Sequence, residues 1–147
     1  MTEASGGDET GIPASTTCSG SGIGNSGMAF IAPTAQVLVG PGQGLLATAT
    51  TSLGGLGGVA ASALSVNVCY AGSDGVVVSD GNFLGSFPGQ PLSVAAGTAL
   101  PLSLTRSFSS LVLAPDAYTV GLCGCIHTLT DQWSIDWSVL TVTVVAE

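Results

Sequence analysis

The sequence predicts an all-β protein, an antiparallel β-sandwich of the immunoglobulin-like or jelly-roll kind with about seven to nine strands. Three observations carry this. Short runs of β-branched and apolar residues alternate with polar ones. Gly, Pro and Asp clusters separate the runs. No stretch places apolar residues at helical spacing. The 147 residues, 46% of them hydrophobic, suit one domain with a real core.

Residues 1–27 are rich in Gly, Ser and Thr and read as an N-terminal arm, flexible or anchored by a disulfide. Residues 28–147 read as the sandwich. "AQVLV" forms a strand and "GPGQG" turns it; "LLATATTS" follows, then the Gly-rich "LGGLGG". In "AASALSVNVCYA", Leu64, Val66, Val68 and Tyr70 share one face, and Ala63, Ser65, Asn67 and Cys69 the other. "GSDGVVVSDGN" sets three valines between two Ser-Asp-Gly turns, and "FLGSFPGQP" is a loop. "PLSLTRSFSSLVL", "AYTVGLCGCIHTL" and "QWSIDWSVLTVTVV" supply the last strands. An immunoglobulin signature is not met: both tryptophans follow Cys125, and Tyr118 precedes Cys123 by five.

Charge is scarce. Only 7% of residues are charged, Arg106 is the one strong base, and the net charge is −8. Phosphate backbones need Lys and Arg, so nucleic acid is not an expected partner. A surface built from Ser, Thr, Gly, Asn and Gln suits an extracellular setting or one covered by neighbouring copies. The N-terminus has neither the basic nor the apolar region of a signal peptide. "GLLATATTSLGGLGGVAASALSV" is long and uncharged, yet Thr, Ser and Gly dilute it and no Lys or Arg flanks it, so no transmembrane segment is expected.

"GLCGCIH" holds two of the four cysteines and the only histidine. In a strand, Cys123, Cys125 and His127 face one way, opposite Val120 and Leu122. Cys69 likewise shares the more polar face of its strand. Cys123 and Cys125 lie about 6.5–7 Å apart at i and i+2, at the limit for pairing with each other. Each therefore needs an outside partner. The favoured pairing is Cys69–Cys123 with Cys18–Cys125; the swapped pairing stays open. Two disulfides imply an oxidising compartment. The alternative is a metal site on Cys123, Cys125 and His127, completed by Cys69 or Cys18, but C-x-C-x-H is not the usual zinc spacing.

Other chemistry is thin. One histidine, with Asp131 nearby and no serine in G-x-S-x-G, argues against an enzyme. Gly55 to Ala60 fit G-x-G-x-x-A only formally, with no strand–helix context. No cofactor is expected, apart from Ca²⁺ at the turns of Asp74 and Asp80, with Asn82 adjacent. Trp133, Ile135 and Trp137 share a strand face, and both tryptophans are expected in the core. If exposed, Trp133 and Trp137 would form an apolar platform for a sugar ring or a protein. Beyond Trp137 the strand is apolar on both faces, as if covered on both sides.

These readings predict a non-enzymatic extracellular structural or assembly protein, a subunit of a filament, coat, appendage or capsid-decoration layer at a cell or virion surface. Its expected partners are copies of itself. The alternative is a secreted adhesin- or lectin-like module that binds a glycan or cell-surface protein through Trp133 and Trp137 or through Asp74 and Asp80.

Overall fold

A computed structural model describes residues 1–6, 10–11, 18, 27–79, 92–127 and 132–147. The strands are β1 (Thr2–Gly6), β2 (Thr10–Gly11), β3 (Ala29–Phe30), β4 (Ala35–Val39), β5 (Gln43–Gly55), β6 (Ala61–Ala71), β7 (Val77–Val78), β8 (Leu92–Val94), β9 (Ala99–Phe108), β10 (Asp116–Ile126) and β11 (Trp133–Ala146). All pairings are antiparallel. The first sheet runs β1-β11-β5-β9, with β2 also on β11; the second runs β3-β10-β6-β7, with β4 on β10 and β8 on β6. Several segments are only two residues long, which is why the strands outnumber those read from the sequence.

The connectivity decides between the two sandwich types. β1 and β2 occupy one position beside β11, β3 and β4 one beside β10, and β7 and β8 one beside β6. Eight positions result. Their order is first, eighth, third, sixth in one sheet and second, seventh, fourth, fifth in the other. This is the two-sheet jelly roll, whose chain passes back and forth between layers. The turn between β4 and β5 makes one such passage. Gly42 supplies its positive φ of 69°, and the Gly40 N–H donates to Gln43 Oε1 at 2.7 Å.

The facing sides of the sheets meet in one core. Leu45, Leu53, Leu64, Val66, Val68, Val120, Leu122, Trp133 and Val142 are its most enclosed members. Alternation places them as the sequence suggests, with two local breaks. Ala63 has φ 62°, and the β6–β8 register shifts between Ala61 and Leu64. The bulge turns the Ser62 carbonyl toward Trp133, whose Nε1–H donates to it at 2.8 Å. The second break lies in β11. Ile135 pairs with Leu53 and Trp137 with Ser52, leaving Asp136 as an extra residue.

That bulge corrects the tryptophan assignment. Before it, Trp133 and Ile135 point into the core; after it, Leu140 and Val142 do. One inserted residue moves the core face from odd to even positions. Trp137 is thereby turned outward and is 42% exposed, while Trp133 is fully buried and offers no platform. The same switch explains the apparently two-sided apolar strand.

Residues 1–27 are also more than an arm. Thr2–Gly6 pairs along Val142 to Ser138, and Thr10–Gly11 continues along Ile135 and Ser134. The segment supplies the first strand of the jelly roll and is fastened at Cys18. The long uncharged stretch of 44–66 forms β5, a 3-10 turn and part of β6. No helix among the described residues is long and apolar enough to cross a membrane.

Candidate functional site

The cysteines form two disulfides, Cys18–Cys125 and Cys69–Cys123, with Cα–Cα distances of 5.0 and 5.8 Å. Register explains the pairing. Cys69 lies opposite Gly121 and Cys123 opposite Asn67, so the second bridge is a diagonal between adjacent strands on the side of the sheet away from the core. Gly121 leaves room there, because a Cβ would meet Thr34 Cγ2 at 2.8 Å and the Phe30 ring at 3.1 Å. The Cys18 N–H donates to the Ile126 carbonyl at 2.9 Å, which sets Cys18 beside Cys125. Cys69, Cys123 and Cys125 are all fully buried although they face away from the core.

Both thiols that a Cys123–Cys125–His127 metal site would need are thus held in disulfides. His127 is exposed, and its Nε2 lies 2.7 Å from Ser65 Oγ. Asp131, Asp80 and Asn82 lie outside the described residues. Asp74 accepts the Val76 N–H at 3.0 Å and so braces its own turn. It borders a cleft of about 240 Å³ with Asp116, Ser73, Tyr70 and Tyr118. The Ala117 N–H and the hydroxyl and N–H of Ser73 hold the Asp116 carboxyl below the usual carboxylate range. Burial pushes the Tyr118 phenol up, with the nearby charge of Asp116 adding to it; the Tyr118 hydroxyl donates to the Ala114 carbonyl at 2.8 Å. These shifts keep Asp116 ionised and Tyr118 protonated at neutral pH.

Arg106 is committed to structure. Its Nε–H donates to Oδ1 of buried Asn67 at 2.8 Å and its Nη1 to the Thr105 carbonyl at 3.1 Å.

The outer side of the first sheet has a different character. The register aligns Trp137 with Ser52 and Pro101, Val139 with Thr50 and Ser103, Thr141 with Thr48 and Thr105, and Thr143 with Leu46 and Ser107. Over these three strands no residue of the four rows is charged; on β1 beyond them, Glu3 pairs with Thr141. Trp137, Val139 and Leu46 are each exposed. Hydroxyls link neighbouring strands, Thr48 with Thr105 at 3.0 Å and Thr50 with Ser103 at 3.4 Å. At the tryptophan end, the Asp136 carboxylate accepts the Ser52 hydroxyl at 3.3 Å and the Ser134 hydroxyl at 3.5 Å. Sequence reading offered Trp137 as exposed only together with Trp133, because the bulge at Asp136 was not anticipated. The signal available was the change of apolar parity from Trp133 and Ile135 to Leu140 and Val142.

No family model and no curated protein matches the sequence. Solved structures do share its fold. A chain from the structure of infectious bursal disease virus, Gx strain, superposes with a TM-score of 0.55 at 12% identity over 98% of this chain. A chain from the Gt strain gives 0.50 at 14% identity, again over 98% of this chain. The protein spans 31% and 33% of those chains, about a third of their length. At this identity the likeness concerns the fold alone.

Proposed function

We propose that the protein is a non-enzymatic structural subunit that assembles with copies of itself, as a coat or capsid-decoration layer, outside the cell or on a virion. The observation that carries this reading is the uncharged patch on the outer side of β11, β5 and β9, centred on Trp137, Val139 and the Thr/Ser rows. A chain of net charge −8 repels its own copies unless they meet where charge is absent. The jelly-roll likeness to chains of a virus structure supports the same reading at the level of fold. Two disulfides suit an oxidising exterior.

The size of the face sets the mode of assembly. Three strands spaced at about 4.8 Å and seven residues rising about 3.4 Å each cover roughly 340 Å². A stable pairwise interface needs about 800 Å² per partner. Single contacts through this face are therefore weak, and stability comes from many repeated copies. Light scattering and negative-stain microscopy of the purified protein test this. Ordered oligomers that vanish in Trp137→Asp with Val139→Asp, the chain still folded, are the expected result. A strict monomer at high concentration overturns it.

One observation favours a second reading. Trp137 stands exposed beside a carboxylate held by two hydroxyls, an arrangement suited to stacking and hydrogen-bonding a sugar ring. Glycan-array binding lost in Trp137→Ala supports it; silence across a broad array removes it.

A further inference from the structure

The sulfurs of Cys18 and Cys125 and a ring nitrogen of His127 all lie within 4.8 Å of one another. No other group of three His, Cys, Asp or Glu side chains among the described residues stands so close. The two bridges differ in access. Cys69 and Cys123 are sealed, with Cys123 Sγ against the Asn67 carbonyl at 3.2 Å. Cys18 is half-buried and His127 exposed, so a reductant reaches the Cys18–Cys125 bridge first.

We propose that this bridge is the oxidised form of a metal site, and that reduction creates a Cys₂His centre for a thiophilic divalent cation, Zn²⁺ above all. A thiol reductant supplies two electrons and two protons. The Cys18–Cys125 sulfur–sulfur bond breaks, each sulfur takes a proton, and two reductant thiols become a disulfide. The cation then displaces both protons, forms two metal–sulfur bonds, and takes a lone pair from the neutral imidazole. Water fills the fourth position of the tetrahedron. Two thiolates balance the charge of the cation.

The geometry requires little movement. Zinc–sulfur bonds of about 2.3 Å place two tetrahedral sulfurs roughly 3.8 Å apart. The bridge has its Cα atoms 5.0 Å apart, and side-chain rotation alone opens the sulfurs that far. Ser65 Oγ lies 2.7 Å from His127 Nε2, so that with the metal on the other ring nitrogen it would serve as the outer partner. The cation would then replace the covalent link, so that the segment carrying β1 and β2 stays fastened to β10 in reducing as well as oxidising surroundings. This does not depend on the assembly reading.

Co²⁺ is the probe. The intact chain is reduced with a phosphine under argon and titrated with Co²⁺, then with Zn²⁺. One Co²⁺ per chain, with sulfur-to-cobalt charge-transfer absorption and the d–d bands of a tetrahedral site, is expected, together with displacement by Zn²⁺. His127→Ala should weaken Zn²⁺ binding at least tenfold, and Cys18→Ser more. The oxidised protein should bind none. The proposal falls if the reduced chain binds no Co²⁺. It falls equally if His127→Ala or Cys18→Ser binds as tightly as the parent, which would assign the metal to Cys69 and Cys123. Loss of the β-sheet circular dichroism on reduction, unrestored by Zn²⁺, also overturns it.

Discussion

Removing the Cys18–Cys125 bridge tests how the molecule is held together. The bridge spans 107 residues, for which the chain-entropy relation gives about 4.8 kcal/mol. It is nested, however. Cys69–Cys123 lies inside it and short-circuits 54 residues of the loop. The effective loop runs from Cys18 to Cys69, across the inner bridge, and on from Cys123 to Cys125. It is about half the nominal length, and a halving removes about 0.6 kcal/mol. The double variant Cys18→Ala with Cys125→Ala should therefore lose about 4 kcal/mol. For a chain of this length, with an unfolding entropy of about 2.1 cal/mol/K per residue, that lowers Tm by roughly 13 °C. Thermal unfolding followed by far-ultraviolet circular dichroism measures it. In a background already lacking Cys69–Cys123, removal of the outer bridge should cost about 0.6 kcal/mol more than in the parent. A fall in Tm under about 3 °C, with the parent bridge verified by mass, would refute the loop argument. It would mean that residual structure in the unfolded chain already keeps Cys18 near Cys125, so that the bridge removes little entropy.

Three further changes probe separate features. Trp133→Ala should cost about 3–5 kcal/mol in urea unfolding, since it empties a fully enclosed core position and strips the Ser62 carbonyl of its donor. Asp116, whose carboxyl is held low by Ala117 and Ser73, contributes stability that is present above the unfolded-state value of about 4 and is lost as pH falls through its lower folded value. Tm measured against pH should fall less steeply below about pH 4 in Asp116→Asn than in the parent; identical acid limbs would show that these hydrogen bonds carry no weight. Deleting Asp136 should leave a folded chain, because Ile135 and Trp137 already face consecutive partners Leu53 and Ser52. Acrylamide should still find one quenchable and one protected tryptophan; an unfolded deletion variant would mean that the bulge is misplaced.

Much of the fold was legible because alternation reports burial directly. In β10, Val120 and Leu122 face the core while Gly121, Cys123 and Cys125 face away, as residue parity requires. The same parity disfavoured a Cys123–Cys125 bridge and left two pairings open; the register of β6 on β10 and the seat of Cys18 beside Ile126 decide between them. Parity fails at bulges, because the extra residue leaves no mark in composition. Asp136 shows this, and so does Ala63 in a stretch that reads as an unbroken alternation. β1 was hidden for another reason. "TEASG" carries no strand signal, and its place at the sheet edge comes from backbone pairing with β11.

The two outer faces, compared, carry the functional argument further than either sheet alone. On the second sheet, Cys69, Cys123, Cys125, Ser65 and Asn67 turn away from the core, yet all are buried. The chain covers that face itself: Phe30 and Thr34 lie over Gly121, and Cys18 is bonded beside Ile126. On the first sheet, Trp137, Val139 and Leu46 turn away from the core and stay exposed. A protein with only one strong base and nine acids has few means of keeping such a face apart from its copies except to place charge on it. Across β11, β5 and β9 none of the four rows carries any; on the edge strand β1, Glu3 extends the Thr141 row, and Asp136 stands beside Trp137. The chain seals the outer face of the second sheet and leaves Trp137, Val139 and Leu46 of the first bare, which supports the proposal that copies of the chain meet there.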